Sequence, residues 1–469
     1  MDRLDDDGTA SDCLDGVPED CSLRGALIRA NSDGVASTVV LADGIHQLSL
    51  PGAEEDLGLT GDLDIVEAQD LMLSASPDTR PVIRQLATDR ILEVHSSAGA
   101  VHLVGHMTFD GGTAVNSGGL ELGGSLYFFR ADSLELTDVH FRGGSAADFG
   151  GCLYWAAPTT PGSLDLTDVT FDGCQTAGQG AGFFIQSADS TVVLDRITAR
   201  NGQAGLTGGG GGFFGGATTV VIQRSSFEHN TAASADTSMR GGGLYLGSGS
   251  FSIHESAFVR NTVGQAGVND AYGGGIFLQN SSLLLRNSTL SQNQSVATFD
   301  RGTELAAQNS AIGFEFVSLK SREPLVTSSV DLAFDSDLDL FASVIQGSCD
   351  RPGTLTSEGF NVDRPVGGAP DTGCNLTHPG DVSTTLDLFA TLAGYGGPTP
   401  SHPLTTDGEN TLLLVSSSSC ADTDQRGAER LGLFCYSGAY EANAEAPGKW
   451  IFSDNFESGD STAWSSTGP

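Results

Sequence analysis

Gly150-Gly151-Cys152-Leu153-Tyr154, followed by Ser163-Leu-Asp-Leu-Thr-Asp-Val-Thr-Phe171 and then Ala181-Gly182-Phe183-Phe184, is one repeat unit and the start of the next. The second glycine recurs at Gly119, Gly151, Gly182, Gly212, Gly243 and Gly275, at intervals of 32, 31, 30, 31 and 32 residues. An alternating stretch follows in most units and closes on Phe141, Phe171, Phe227, Phe258 or Leu290. Three residues past the last three of these stand Asn230, Asn261 and Asn293, with Asn201 in the intervening unit. The alternation has period two and is broken by glycine every few residues, which excludes helices. A unit of this size cannot bury its apolar face alone, so neighbours must stack, strand on equivalent strand, about 4.8 Å apart. The fold expected is all-β, a right-handed parallel β-helix.

Working outward, looser strand patterns run from Thr38 to Leu50 and on through Leu71-Met-Leu73 and Val101-His-Leu-Val104, and resume over Ala311–Ile345. Residues 37–345 would supply roughly ten or eleven rungs, a rod of about 50 Å. Glycine pairs fit corners needing positive φ or close backbone approach. Asn201, Asn230, Asn261 and Asn293 read as left-handed corners whose amides stack in a ladder. Phe141, Phe171, Phe227 and Phe258 read as an interior aromatic stack. An open β-helix needs capped ends. Ser22 is placed to cap a short amphipathic helix that buries Leu23, Ala26, Leu27 and Ala30 over the first rung. The chain then divides into a capping segment 1–36, the β-helix 37–345, a cysteine-bearing region 346–445 that continues or caps it, and a tail 446–469.

The 469 residues carry 63 glycines, two lysines and a net charge of −37. That charge argues against nucleic acid and anionic lipid. No apolar run is long enough for a transmembrane helix. The eight cysteines fall into sequential pairs, Cys13 with Cys21, Cys152 with Cys174, Cys349 with Cys374 and Cys420 with Cys435, without any CxxC spacing. That is a disulfide pattern, and it points to a secreted or cell-surface protein whose signal peptide is absent from this sequence.

Cys21-Ser-Leu-Arg-Gly-Ala-Leu-Ile-Arg-Ala-Asn31 resembles the Cys-Ser-Leu-Arg-Glu-Ala opening of a family of secreted bacterial β-helix proteins, the CSLREA-type domain, with Gly25 in place of the glutamate. The Gly-Gly-x-aromatic and Phe-x-x-Asn units resemble the repeats of bacterial polymorphic outer-membrane proteins. Gly396-Gly-Pro-Thr-Pro-Ser-His402, Asp424-Gln-Arg-Gly427 and Gly438-Ala-Tyr-Glu441 resemble the choice-of-anchor Q region. Ile451–Trp464 resembles C-terminal tails of secreted bacterial proteins, for which sorting or attachment is one reading. These resemblances imply a surface or secreted address and leave the activity open.

For chemistry, stacking the repeats sets Asp138, Asp168 and Asp195 in one column, with Arg224, Glu255 and Asn287 continuing it, and Glu135 with Asp165 in a second. Stacked carboxylates need compensation. Three readings follow: solvated or ion-paired groups, a Ca²⁺ site of Asp138, Asp168 and Asp195, or a catalytic pair of a polysaccharide lyase or glycoside hydrolase drawn from Asp138, Asp168, Glu135 and Asp165. His102 and His106, beside Asp110, are a weaker metal candidate. Tyr154, Trp155, Tyr245 and Tyr272 read either as sugar-stacking surfaces or as packing. With only two lysines, neither in the regular repeat, the face lacks the cation a lyase sets beside its base. A non-catalytic, adhesin-like module binding extracellular glycans or a surface protein is therefore the leading expectation.

Overall fold

The computed structural model describes residues 3–444, apart from 15–19, 53–54, 67–68, 96–97, 115–118, 130–132, 158–161, 188–189, 207, 217, 235–237, 268–269, 323–327, 334, 351–352, 366–372, 412–413, 431–433 and 442–443. The tail segment Ile451–Trp464 lies outside the described residues.

The protein is a right-handed parallel β-solenoid. One coil shows how the repeat becomes structure. Ser163–Thr167 forms a first strand, Thr170–Asp172 a second, Gln175–Thr176 a short third, and Phe183–Ser187 the broad sheet that closes the coil. Each pairs in parallel with its equivalent in the next coil, as in Ser163 with Thr191 and Phe183 with Gly212. The broad sheet holds eleven strands among the described residues. The ladder continues past residue 345 through Thr354–Gly359 and Val362–Arg364.

Alternation sends Leu164, Leu166 and Phe171 inward to a continuous bore that also takes Leu153 and Trp155. A Cβ on Gly182 would lie 2.2 Å from the Gly211 carbonyl oxygen of the next coil, so close approach, rather than looseness, explains the glycine column. The aromatic stack is broken. Phe141 and Phe171 stack at 5.2 Å, and Phe227 and Phe258 at 5.0 Å, but Ala199 occupies the rung between the pairs. Phe183 fills the space beside Ala199, 5.4 Å from Phe171 and 6.4 Å from Phe227. Gly212 makes room above it, since a Cβ there would lie 2.2 Å from the Phe183 ring.

The asparagine ladder also needs correction. Asn230, Asn261 and Asn293 are buried and stack, but their backbones are not left-handed; the preceding residues His229, Arg260 and Gln292 take positive φ instead. Asn201 belongs to that preceding column, at φ 57°, and its exposed amide donates to Asp172. The ladder slot in its rung is Gly202, whose N–H donates to Asn230 Oδ1. At the other end Glu304 terminates the ladder, its carboxyl accepting from the Asn293 N–H and Nδ2.

Burial pushes the Glu304 carboxyl up to about 8, against donors from Asn293 that favour the ionised form. The folded chain then keeps this proton up to about 8, whereas the unfolded chain releases it near 4.5. Its contribution to stability is complete below the unfolded value and is lost as pH rises through the folded one. The midpoint of thermal unfolding is expected to fall over that window, and Glu304→Gln to flatten the fall. An unchanged slope in the variant would refute the assignment.

At the N-terminus, helix Leu23–Asp33 buries Leu23, Ala26 and Leu27 against the solenoid core, with Ala30 half-buried. Ser22 caps it by accepting from the Gly25 N–H, and Gly34 ends it in the left-handed region. Gly25 is required here: a Cβ would lie 2.1 Å from the Ala10 carbonyl oxygen. The disulfides join Cys13–Cys21, Cys152–Cys174, Cys349–Cys374 and Cys420–Cys435. No helix among the described residues is long and apolar enough to cross a membrane.

Candidate functional site: an open polar face

The corner between first and second strands is built on left-handed residues: Asp138, Asp168, Arg196, Arg224, Glu255, Asn287 and Phe316 all have φ between 45° and 57°. Arg196, not Asp195, follows Asp168 in this column, because the coil there is two residues shorter than its predecessor. Asp195 pairs with Thr167 in the first strand instead. The three proposed calcium ligands therefore do not share a column. Arg196 lies 2.5 Å from Asp168 and 2.6 Å from Asp195, and Arg224 reaches Asp195 at 2.5 Å.

Glu135 and Asp165 do stack, and His102 continues their column. His102 Nδ1 lies 2.8 Å from Glu135, while Thr167 donates to Asp165. His102, His106 and Asp110 do not meet one another. His106 faces Asp138 in the next coil, and Asp110 sits between Arg84 at 2.6 Å and Arg142 at 2.9 Å. Arg142 beside Asp110 holds that carboxyl below its usual range. His140 does the same for Asp138, while burial lowers His106 despite the Asp138 charge.

The residue just after the inward side chain of each second strand carries a pattern that sequence reading missed. In register these are Arg84, Asp110, Arg142, Asp172, Arg200 and Glu228, an unbroken alternation of sign. The signal was present in the pairs Phe109-Asp110, Phe141-Arg142, Phe171-Asp172 and Phe227-Glu228. Lysine scarcity also misled: Arg84, Arg142, Arg196, Arg200 and Arg224 put cations on this face, each set against a carboxylate. One corner further on, a cavity of about 440 Å³ runs along the short third strands, lined by Ser145, Gln175, Gln203 and Thr231 among others.

Further along the solenoid the same corner is covered by the C-terminal region. Thr399 donates to the Glu255 carbonyl, Gln425 accepts from Thr289, and Arg430 donates to Asn287. His402 Nε2 lies 2.8 Å from Ser291, and its Nδ1 donates to the Ala390 carbonyl. Burial pushes His402 down to about 4, consistent with a neutral ring. The Gly-Gly, Asp-Gln-Arg-Gly and Gly-Ala-Tyr-Glu segments thus form a strap on the solenoid.

The aromatic residues pack. Trp155 lies in the bore, and Tyr154 and Tyr245 belong to a row with Phe184, Phe213 and Phe277 on the outside of the broad sheet. Neighbouring rings are 4.3 to 5.4 Å apart, so ring faces cover one another rather than await a sugar. Tyr272 packs on Phe277. A second titratable cluster lies under the N-terminal helix, where Asp62, Asp64, Asp89 and Glu93 surround Arg90 and His95. Burial, with Asp64 and Asp89 close by, pushes Asp62 up to about 9.

Residues 128–315 match the family described as a right handed beta helix region, in agreement with the architecture above. Domains of this family occur both in polysaccharide-degrading enzymes and in adhesin-like proteins. No curated protein and no solved structure matches the chain.

Proposed function

We propose that this is an extracellular, adhesin-like β-helix protein that binds glycans without catalysis, along the open face between Arg84 and Glu228. The observation that carries the reading is the polar strip itself. A groove lined by Ser145, Gln175, Gln203 and Thr231 runs beside a ladder of paired charges spanning six strands, about 24 Å long. Amide and hydroxyl groups beside fixed ion pairs suit hydrogen bonding to an extended chain of hydroxyls. The candidate acids Glu135, Asp138 and Asp168 are each engaged by a histidine or arginine, which disfavours a general acid–base pair. The disulfides and the resemblance to secreted bacterial β-helix proteins support the extracellular address, and the tail 446–469 remains a proposed attachment segment.

A glycan array with the full chain tests the proposal. Gln175→Ala with Gln203→Ala is expected to weaken binding at least tenfold, and Arg142→Ala to weaken it while altering stability by less than about 1 kcal/mol. A blank array would refute glycan binding. A polysaccharide lyase or glycoside hydrolase, the second reading, would use Asp168 with Arg196 as the cation beside it. New reducing ends or unsaturated products, abolished by Asp168→Asn, would establish it in place of the first.

A further inference from the structure

We propose that His106, Asp138 and His140 bind one divalent transition-metal ion on the open face. The geometry begins with a break in the strand. The register between Val101–Asp110 and Ser133–Arg142 shifts between Val104 and Met107. Gly105 takes φ +103° there, and a Cβ would lie 2.7 Å from the Ala75 carbonyl oxygen, so the position requires glycine. Such a break re-aims a side chain, and His106 turns toward the next coil. Asp138 sits at the left-handed corner and His140 two residues beyond it.

Asp138 Oδ1 then lies 3.2 Å from His106 Nδ1 and 3.8 Å from His140 Nε2. One ligand atom from each residue falls within 4.8 Å of the others, and the imidazole centroids are 4.7 Å apart. Metal–ligand bonds of about 2.1 Å in a tetrahedral site require ligand atoms roughly 3.4 Å apart. Small side-chain rotations close the difference. Two imidazoles and one carboxylate suit Zn²⁺, Ni²⁺ or Cu²⁺ rather than Ca²⁺, which takes six to eight oxygens. All three side chains are a third or more exposed, so the remaining coordination positions open to solvent.

Among the described residues the other cluster of this kind, Asp64, Glu93 and His95, is already occupied by protein charge. Arg90 pairs with Glu93, and His95 lies 2.9 Å from Asp64.

The test uses tag-free full-length protein, stripped with chelator and titrated with Zn²⁺ by calorimetry, with bound metal counted after dialysis. One ion per chain is expected. His106→Ala and His140→Ala should each weaken binding roughly 100-fold or more, beyond the loss typical of residues that only support a ligand. His102→Ala and His95→Ala should leave it unchanged. Asp138→Asn, whose side chain tolerates the left-handed corner, supplies a variant less prone to misfolding, and is expected to weaken binding as well. The proposal is overturned if the wild type binds no Zn²⁺, if binding survives His140→Ala, or if it is lost in His95→Ala.

Discussion

Asn261→Ala is expected to lower the free energy of unfolding by about 4 kcal/mol, among the largest effects of any single truncation in the solenoid. The Asn261 side chain is fully buried and makes four hydrogen bonds. It accepts from the Asn230 N–H and from Asn230 Nδ2, and donates to the Phe227 carbonyl and to Asn293 Oδ1. Alanine leaves all four partners without this amide. Two of them are backbone groups, and each buried group left unmade costs about 1–3 kcal/mol. The loss is also transmitted, because each coil is held mainly by its neighbours. Asn201→Ala provides the contrast: one exposed amide bond to Asp172 disappears, with a modest cost for alanine in the left-handed region, together about 1–2 kcal/mol. Chemical denaturation monitored by circular dichroism would compare the two. Equal shifts in midpoint would show that the amide ladder is not the source of cohesion.

The same pair of residues shows where sequence reading stops. The repeat is legible because its glycines and closing apolar residues recur at nearly constant spacing, and the bore demands both. Asn201 and Asn230 look equivalent in a list of repeats, yet they occupy adjacent columns. The intervals between coils vary, and a slip of one residue changes the column. Asp195 failed for the same reason when Arg196 took the corner. Composition could not locate the left-handed column either, since it accepts Asp, Arg, Glu, Asn and Phe at successive rungs. The alternating ladder from Arg84 to Glu228 was within reach, because each member follows the inward residue of its second strand. Stacked carboxylates stand out in the repeat, whereas this ladder alternates opposite charges. The strap was out of reach: Thr289 and Gln425 are 136 residues apart, and no local periodicity encodes their contact.

That strap divides the corner into two territories. From Glu255 onward the left-handed residues are roofed by the chain between Thr399 and Glu441. Before Glu255 the corner carries the Arg196 and Arg224 ion pairs and the His106–Asp138–His140 cluster, with those side chains reaching solvent. The choice of residue follows the cover. Under the strap Phe316 and Ala342 are buried with Val415 and Cys435, and Glu255 accepts from Thr423, whereas arginine–carboxylate pairs stand in the open part. The binding surface proposed for the open part would be backed by the ion-paired ladder on the same strands, which would limit the entropy lost when a ligand docks.

Arg430→Ala is expected to release this strap, at a cost of about 3–5 kcal/mol to its docking. The Arg430 side chain is fully buried and lies 2.9 Å from the Glu441 carboxylate. It donates to the carbonyls of Thr423, Tyr436 and Gly438 and to Asn287 Oδ1, and its guanidinium lies 4.5 Å over the Phe316 ring. One planar cation therefore ties two strap segments to the solenoid corner. Removing it leaves Glu441 buried beside the Tyr436 N–H with its cation gone, and that uncompensated charge dominates the cost. Arg430→Lys retains charge but cannot fill the fork of donors, so an intermediate loss is expected. Limited proteolysis should cut the variant between Thr399 and Glu441 while the β-sheet circular dichroism persists, because the coils before Glu255 do not depend on the strap. Dye binding to apolar surface should rise as Phe316 and Ala342 are uncovered. Cleavage and melting indistinguishable from wild type would mean that the strap is held by Thr399, Gln425 and Ser437 rather than by Arg430.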